Sequence, residues 1–158
     1  MFHEGQFEGR KVRPPVFLGR RPDEAADASL QKFYAELLES INRPVFREGA
    51  WALCEKTGWP DNPSYQNILA WTWTGGGDRS LIVANLSDRP AQARIHFGQP
   101  DFSGRTLDLT DRISSVRYRR AGDEILSSGL FVDLPPWGCH FLDCRMQPVA
   151  EALTALRA

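Results

Sequence analysis

Residues 75–77 are three consecutive glycines that separate two apolar runs near the middle of the chain. The first run, residues 68–73, carries Trp71 and Trp73 in alternation with smaller side chains, and the second, residues 81–86, is aliphatic. Glycine supplies the positive φ angles that a tight reversal needs, so this stretch predicts a β-hairpin. Each run is too apolar to leave one face in water. We therefore expect the hairpin in the middle of a sheet under a second layer, with Trp71 and Trp73 buried together.

The length and charge of the chain argue against several classes of protein. Its 158 residues leave room for one domain, or for one domain with an appendage. A net charge of −1 argues against a nucleic-acid partner, which usually requires a basic excess. No apolar run approaches the ~18 residues of a membrane span, and the N-terminus lacks the apolar core of a signal peptide.

The three cysteines, Cys54, Cys139 and Cys144, have no metal-binding spacing, so we expect reduced thiols in a cytoplasmic protein.

One amphipathic helix is predicted early in the chain. Apolar side chains recur at helical spacing from Leu30 to Ile41, and polar side chains take the opposite side. Asp27 is a suitable N-cap, Asn42 suits the C-terminal end, and Pro44 cannot continue the helix. An uncovered apolar stripe of this size is a liability for a monomer. We therefore expect the helix to fold back on the rest of the chain or to form a homodimer through the Leu30–Ile41 face.

From residue 45 onward the pattern predicts short strands separated by turns. Apolar and polar residues alternate cleanly at 91–97 and 130–134. About eight strands at intervals of ~10 residues predict a mainly β fold, an antiparallel Greek-key β-sandwich preceded by the helix. Residues 121–124 are read as a turn, and residues 147–158 as a short helix or tail. The candidate strands are 50–54, 67–74, 80–87, 91–97, 105–109, 116–120, 130–134 and 138–144.

No arrangement of residues typical of a cofactor or metal site stands out. The glycine run lacks the Lys-Ser/Thr pair of a phosphate-binding loop. Cys139 and His140 would need a second pair of ligands to hold zinc, and the sequence has none. Cys54 with His140 is disfavoured as a nucleophile and base, because nothing in the sequence lowers the thiol pKa. The sequence therefore predicts neither a metal nor a cofactor.

Three pairs of carboxylates are candidates for catalysis, because glycoside hydrolysis uses two carboxylates. Backbone hydrogen bonding in a loop explains Glu4 with Glu8. A favourable charge near a helix N-terminus explains Asp23 with Glu24. Turn chemistry at a strand end explains Asp108 with Asp111. Hydrolysis by Glu4 and Glu8 stays open as a hypothesis.

The aromatic residues permit a sugar-binding interpretation. The chain has five Trp, nine Phe and three Tyr, and flat aromatic faces stack on pyranose rings. Tryptophan in short strands more often fills a sandwich core. Trp59 and Tyr65, in the loop sequence GWPDNPSYQN, are the better candidates for carbohydrate contact, with Trp51 as a third.

Several stretches in order resemble the end of an enzyme of the alpha-amylase superfamily of glycoside hydrolases. The most informative are GQFEG at residues 5–9 and LPPWG at residues 134–138. The others are LQKFYAELLESINRPVFREGAW, DNPSYQNILAWTW, LIVANLS and GLFVDLPPWGCHFL. The similarity runs over residues 2–143 and lies in the order and spacing of these pieces.

The resemblance implies a division of the chain and a missing active site. Residues 1–44 would be the tail of a (β/α)₈ barrel, and residues 45–146 the all-β C-terminal domain. The catalytic carboxylates of the superfamily lie on upstream barrel strands and match no position here. We therefore expect no catalytic residues and no activity from this chain alone, within a parent enzyme acting on alpha-glucans. The loop bearing His3, Glu4, Gln6 and Glu8 would border the substrate cleft of that enzyme.

Three functions follow from these patterns. The leading one is a non-catalytic β-sandwich that stabilises the catalytic barrel of its parent enzyme, which would be its partner. The second is a module that binds starch or glycogen through Trp59, Tyr65 and Trp51. The third is residual glycosidase activity from Glu4 and Glu8. Neither a nucleic acid nor a membrane is expected as a partner.

Overall fold

The computed structural model describes residues 2–147 except 13, 14, 16, 18 and 21. The chain divides into two compact units, Met1–Asn42 and Arg43–Ala158. The helix or tail expected at 147–158 lies outside the described residues, apart from Gln147.

The first unit is a turn-rich loop followed by helix α1, Ala28–Ile41. Asp27 caps the helix, since its carboxylate accepts hydrogen bonds from the backbone N–H groups of Ser29 and Leu30. The helix ends at Asn42 as its C-cap, which confirms the predicted helix and both of its ends. The ring of Tyr34 on α1 lies 4.9 Å from that of Phe7, so the loop packs on the helix through aromatic contacts.

The described part of the second unit contains nine strands and two short α-helices, and the strands account for the mainly β fold. Helix α2 spans Val45–Glu48 and precedes the strands, and helix α3 spans Gly122–Ser128 between β7 and β8. The strands are β1 Ala50–Leu53, β2 Glu55–Thr57, β3 Ile68–Gly75, β4 Asp78–Asn85, β5 Ala91–His96, β6 Thr106–Asp111, β7 Arg117–Ala121, β8 Leu130–Leu134 and β9 Cys139–Met146.

The strands form two antiparallel sheets. The large sheet has the order β1-β3-β4-β9-β6-β7, and the small sheet has the order β2-β5-β8. The predicted antiparallel sandwich is confirmed, with nine strands instead of about eight. The additional strand is β2, whose sequence Glu-Lys-Thr carries no apolar alternation and whose backbone pairs with β5.

Strands β3 and β4 form the predicted hairpin, with Gly75 directly opposite Asp78. The turn residues Gly76 and Gly77 have φ angles of 61° and 87°, the left-handed conformation that a type I′ reversal requires at both central positions. The hairpin lies inside the large sheet, with β1 on one side and β9 on the other. The predicted central position is therefore confirmed.

The hydrophobic core lies between the inner faces of the two sheets. The large sheet contributes Ile68, Leu81, Val83, Leu107, Leu109 and Leu142, among others, and the small sheet Ala91, Ala93, Ile95, Leu130, Val132 and Leu134. Each large side chain that is fully buried contributes about 1.5–3 kcal/mol to stability. This burial fixes which face points outward in each strand that contributes core residues.

Two local expectations were wrong. Trp71 and Trp73 do not lie in the core; they are half-buried on the outer face of the large sheet, because Ile68 and Ala70 take the inner positions. Residues 121–124, read as a turn, instead lead into helix α3. Ile125 of α3 is fully buried, so one apolar anchor holds a helix too short to show a periodic pattern.

Candidate functional site

The outer face of the large sheet exposes a strip of large apolar side chains at its β1 edge. Trp51 lies opposite Trp73 and Leu53 opposite Trp71 in the β1–β3 register, so all four side chains share this face. The exposed fractions of Trp51, Leu53 and Leu69 are 53%, 60% and 38%. We call Trp51, Leu53, Leu69 and the half-buried Trp71 the apolar strip. Large side chains left in water as a group are typical of an interaction surface.

Helix α2 covers the centre of the same face. The ring of Phe46 contacts Trp73 on β3 and Phe141 on β9, at centroid distances of 5.9 and 5.4 Å. Both pairs are edge-to-face, the geometry that aromatic quadrupoles favour. Phe46 therefore covers part of the outer face that would otherwise be in water.

A buried carboxylate anchors the segment that leads into α2. Arg43 donates two hydrogen bonds to Asp143 on β9, and Arg112 donates a third from its Nε at 2.7 Å. Ser80 on β4 donates a fourth at 3.0 Å. Asp143 is buried, so these donors offset the cost of removing its charge from water.

The outer face of the small sheet carries a second group of aromatic and polar side chains. The ring of Trp59 lies 5.9 Å from that of Phe131 on β8, and the guanidinium of Arg94 on β5 lies 5.8 Å from the Trp59 ring. Beside them, Asn62 donates a hydrogen bond to Gln92 at 3.2 Å, and Gln92 donates one to Asp133 at 3.1 Å.

The structure separates the three residues proposed for carbohydrate contact. Trp51 lies on the outer face of the large sheet, whereas Trp59 lies beside the small sheet. Tyr65 is half-buried against the core, in the 3-10 helix Pro63–Asn67. Phe131 lies beside Trp59, a contact that the sequence did not predict.

The cleft-border candidates lie in the loop of the first unit. The side-chain oxygen of Gln6 accepts a hydrogen bond from the backbone N–H of His3, and its amide nitrogen donates to the Tyr34 hydroxyl at 2.7 Å. Glu4 is exposed and Glu8 is half-buried. These contacts hold the loop against α1.

His140 is paired with a buried carboxylate. Its Nδ1 lies 2.7 Å from Asp111, whose other carboxylate oxygen accepts the backbone N–H groups of Ile113 and Phe141. Burial raises the pKa of Asp111, but these hydrogen bonds outweigh it and hold that pKa below its usual value. The pair stabilises a strand end, which extends the turn role predicted for Asp111.

The thiols lie in surroundings that suppress nucleophilic chemistry. Burial raises the pKa of Cys54 to about 11 and that of Cys144 to about 12, and it also raises the pKa of Cys139. All three cysteines are free. Within the described part of the chain, no three His, Cys, Asp or Glu side chains come together as a metal site. Among the same residues, no helix is both long and apolar enough to cross a bilayer.

Comparison with known proteins gives a structural match but no match to a family model. No curated protein matches the chain either. A solved structure of the maltogenic alpha-amylase AmyB from Thermotoga neapolitana matches 90% of this chain with a TM-score of 0.66 and 14% sequence identity. The chain has the fold of part of an alpha-amylase. It spans 32% of the AmyB chain, about a third of that protein.

The match to AmyB bears out, at the level of the fold, the resemblance seen in the sequence. The trehalulose synthase MutB from Pseudomonas mesoacidophila MX-45 also aligns, over 73% of this chain and 18% of its own, at 20% identity and a TM-score of 0.45. Within the shared fold, the sequence did not reveal the link between Arg43 and Asp143, because these residues meet only when β9 lies beside β4. The one available signal was an aspartate inside the apolar run of β9.

Proposed function

We propose that this chain is a non-catalytic, structural part of an alpha-amylase-like glycoside hydrolase. Its β-sandwich supports a catalytic (β/α)₈ barrel that acts on alpha-glucans and belongs to the same parent protein. Residues 1–44, with helix α1, are the last segment of that barrel, and residues 45–146 are the domain that follows it. The loop with His3, Glu4, Gln6 and Glu8 borders the substrate cleft without doing the chemistry.

The observation that carries this proposal is the apolar strip on the outer face of the large sheet. Three of its side chains are more than a third exposed, and covering their remaining apolar surface would contribute about 25 cal/mol for each Å² removed from water. The AmyB chain is about three times as long as the part matched here, so a protein of that kind has a further body of polypeptide available to cover the strip. We propose that the apolar strip packs against the catalytic barrel of the parent enzyme.

The hydrogen bonding of the buried carboxylates supports a structural role over an enzymatic one. The described carboxylates of the sandwich that are buried, Asp111 and Asp143, are both held by hydrogen bonds within the fold. Neither is free to protonate a leaving group or to attack a sugar carbon. This arrangement supports assigning hydrolysis to the barrel.

The proposal is tested by reading the gene upstream of Met1 and producing the two parts together. We expect an in-frame barrel, co-purification of that barrel with this chain, and hydrolysis of a chromogenic maltoside by the pair. The chain alone should not hydrolyse the maltoside. Activity in the isolated chain that disappears in Glu8→Gln would overturn the assignment and favour hydrolysis by Glu4 and Glu8.

A second candidate, binding of an alpha-glucan, is favoured by the group around Trp59. This group combines the aromatic rings of Trp59 and Phe131 with the hydrogen-bonded amides of Asn62 and Gln92. Aromatic rings beside planar polar groups suit the apolar faces and hydroxyl groups of pyranose rings.

Affinity electrophoresis in soluble starch tests this second candidate. Binding would slow the chain, and Trp59→Ala would restore its mobility, whereas Trp51→Ala on the large sheet would leave the slowed mobility unchanged. Equal mobility of the unaltered chain with and without starch would rule out the glucan site.

A further inference from the structure

A groove rich in arginine opens on the outer face of the large sheet, at the edge formed by β9, β6 and β7. It encloses about 540 Å³. Its charged lining consists of Arg112, Arg117, Arg119, Arg145, Asp108 and Asp143. We call it the arginine groove. The apolar strip lies at the opposite edge of the same sheet, on β1 and β3.

The strand register explains why these side chains converge. Asp108 on β6 lies between Arg145 of β9 and Arg119 of β7. Two positions further along β6, Thr110 lies between Asp143 of β9 and Arg117 of β7. Residues two apart on a strand share a face, so both rows of side chains point into the groove.

The groove holds more positive than negative charge, although the whole chain has a net charge of −1. Arg119 donates a hydrogen bond to Asp108 at 3.0 Å. Arg112 binds Asp143, but that carboxylate is already held by Arg43. Among the described residues, no carboxylate lies within ion-pairing distance of Arg117 or Arg145. Arg117 helps to lower the pKa of Asp108 through space, after the larger effects of the hydrogen bonds from Arg119 and Gln147. Both Arg117 and Arg145 therefore face the groove without forming an ion pair with a described carboxylate.

We propose that the arginine groove binds the phosphate monoester of a sugar. A guanidinium group offers paired N–H donors that match two phosphate oxygens, and Arg117 and Arg145 are available for this. A phosphate monoester carries close to two negative charges at neutral pH, which equals the excess of arginine over aspartate in the lining. The volume is much larger than a phosphate group needs. Thr110 offers a hydroxyl to sugar hydroxyls, and Gln147, whose amide nitrogen donates to Asp108, offers its side-chain oxygen.

The groove does not depend on the structural role proposed above. A barrel docked on the apolar strip would contact β1 and β3, whereas the sugar phosphate would contact β9, β6 and β7. Failure of one proposal therefore leaves the other standing, and the experiments for each use different variants.

Isothermal titration calorimetry on the whole chain at low ionic strength tests the site with glucose 6-phosphate, inorganic phosphate and glucose. We expect glucose 6-phosphate to bind, inorganic phosphate to bind more weakly, and glucose to give no signal. Binding should weaken as salt screens the guanidinium groups. Equal affinity for glucose 6-phosphate and inorganic phosphate would overturn the proposal by showing a general anion site, and absence of binding would overturn it outright.

The double variant Arg117→Gln with Arg145→Gln tests the location. Both side chains are exposed, so the fold should be retained, and the affinity for glucose 6-phosphate should fall at least about tenfold. Arg89→Gln is the matched control, because Arg89 is an exposed arginine in the loop between β4 and β5, outside the groove. An equal loss of affinity in Arg89→Gln, or no loss in the double variant, would contradict the assignment.

Discussion

Arg43 and Asp143 are joined by two hydrogen bonds, from Nη2 to Oδ1 at 2.7 Å and from Nη1 to Oδ2 at 3.1 Å. The two residues are separated by 100 positions in the chain. Arg43 lies just before helix α2, and Asp143 lies on β9 near the middle of the large sheet. The bond therefore fastens the start of the second unit to the middle of its large sheet.

Asp143→Ala should lower the free energy of unfolding by about 3 kcal/mol, because the mostly buried guanidinium of Arg43 loses the carboxylate that accepts two of its hydrogen bonds. The Arg43 side chain is only 19% exposed. Urea unfolding followed by tryptophan fluorescence measures the change.

Asp108→Ala is the matched control for this loss. Its partner Arg119 is 74% exposed, and ion pairs in water are worth about 1 kcal/mol or less. Equal losses in the two variants would show that burial of the Arg43–Asp143 pair has no effect on stability.

Asp111 should make stability depend on pH in the acid range. Its pKa lies below the usual 3.8, since the hydrogen bonds from His140, Ile113 and Phe141 outweigh the effect of burial. The ionised carboxylate thus stabilises the fold above the pKa of about 4 of the unfolded chain, and this stability is lost as pH falls through the lower folded value. Asp111→Asn should be less stable than wild type at neutral pH, with a gap that narrows below about pH 4.

Urea unfolding of both proteins at a series of pH values checks this result. If the difference in free energy of unfolding between wild type and Asp111→Asn stays constant into the acid range, the Asp111 carboxylate contributes through its shape and not through its charge.

The three thiols should resist alkylation while the protein is folded. Burial raises the pKa of Cys54 to about 11 and of Cys144 to about 12, so almost no thiolate exists at about pH 8. Iodoacetamide labelling followed by mass spectrometry should be slow before unfolding and complete in urea. Cys139, which is only half-buried, should react first, and Cys139→Ser should remove this early label. Rapid labelling of Cys144 in the folded protein would contradict the structure.

Gly122→Ala should destabilise the protein by about 3 kcal/mol, through overpacking at the start of α3. A Cβ at this position would lie 2.0 Å from the backbone oxygen of Phe102, which is itself buried in the core. Gly104→Ala is the control, because its Cβ would meet open space and only its φ of +68° is unfavourable. Thermal unfolding should show a clearly smaller loss for Gly104→Ala, about 1 kcal/mol. A larger loss in this control would contradict the packing around Gly122.

The sequence predicts those elements whose signals are local. Helix α1 follows from its apolar spacing and the Asp27 cap, and the β3–β4 hairpin follows from the glycines between two apolar runs. Strand β2 and helix α3 were missed because each is short and is held by partners that are distant in sequence. Strand β2 is held by pairing with β5, and helix α3 is held by its buried residue Ile125.

The candidate surfaces depend on strand order, which local patterns do not contain. Alternation shows that Trp71 and Trp73 share a face, but their outward direction depends on which face of β3 packs on the small sheet. Trp51 and Trp59 are eight positions apart and yet lie against different sheets, since β1 pairs with β3 whereas Trp59 contacts Phe131 of β8. The arginine groove likewise requires the β9-β6-β7 neighbourhood.

The structural role proposed for the chain depends on the apolar strip, and the half-life of the parent enzyme at elevated temperature tests it. One variant of the enzyme carries both Trp51→Lys and Leu53→Lys. The control variant carries Phe131→Lys, because Phe131 is similarly exposed and lies on the small sheet. The double variant should lose maltoside-hydrolysing activity several-fold faster than wild type, because charged side chains cannot be buried against the barrel. Phe131→Lys should match wild type. Equal half-lives for all three enzymes would contradict docking through the strip.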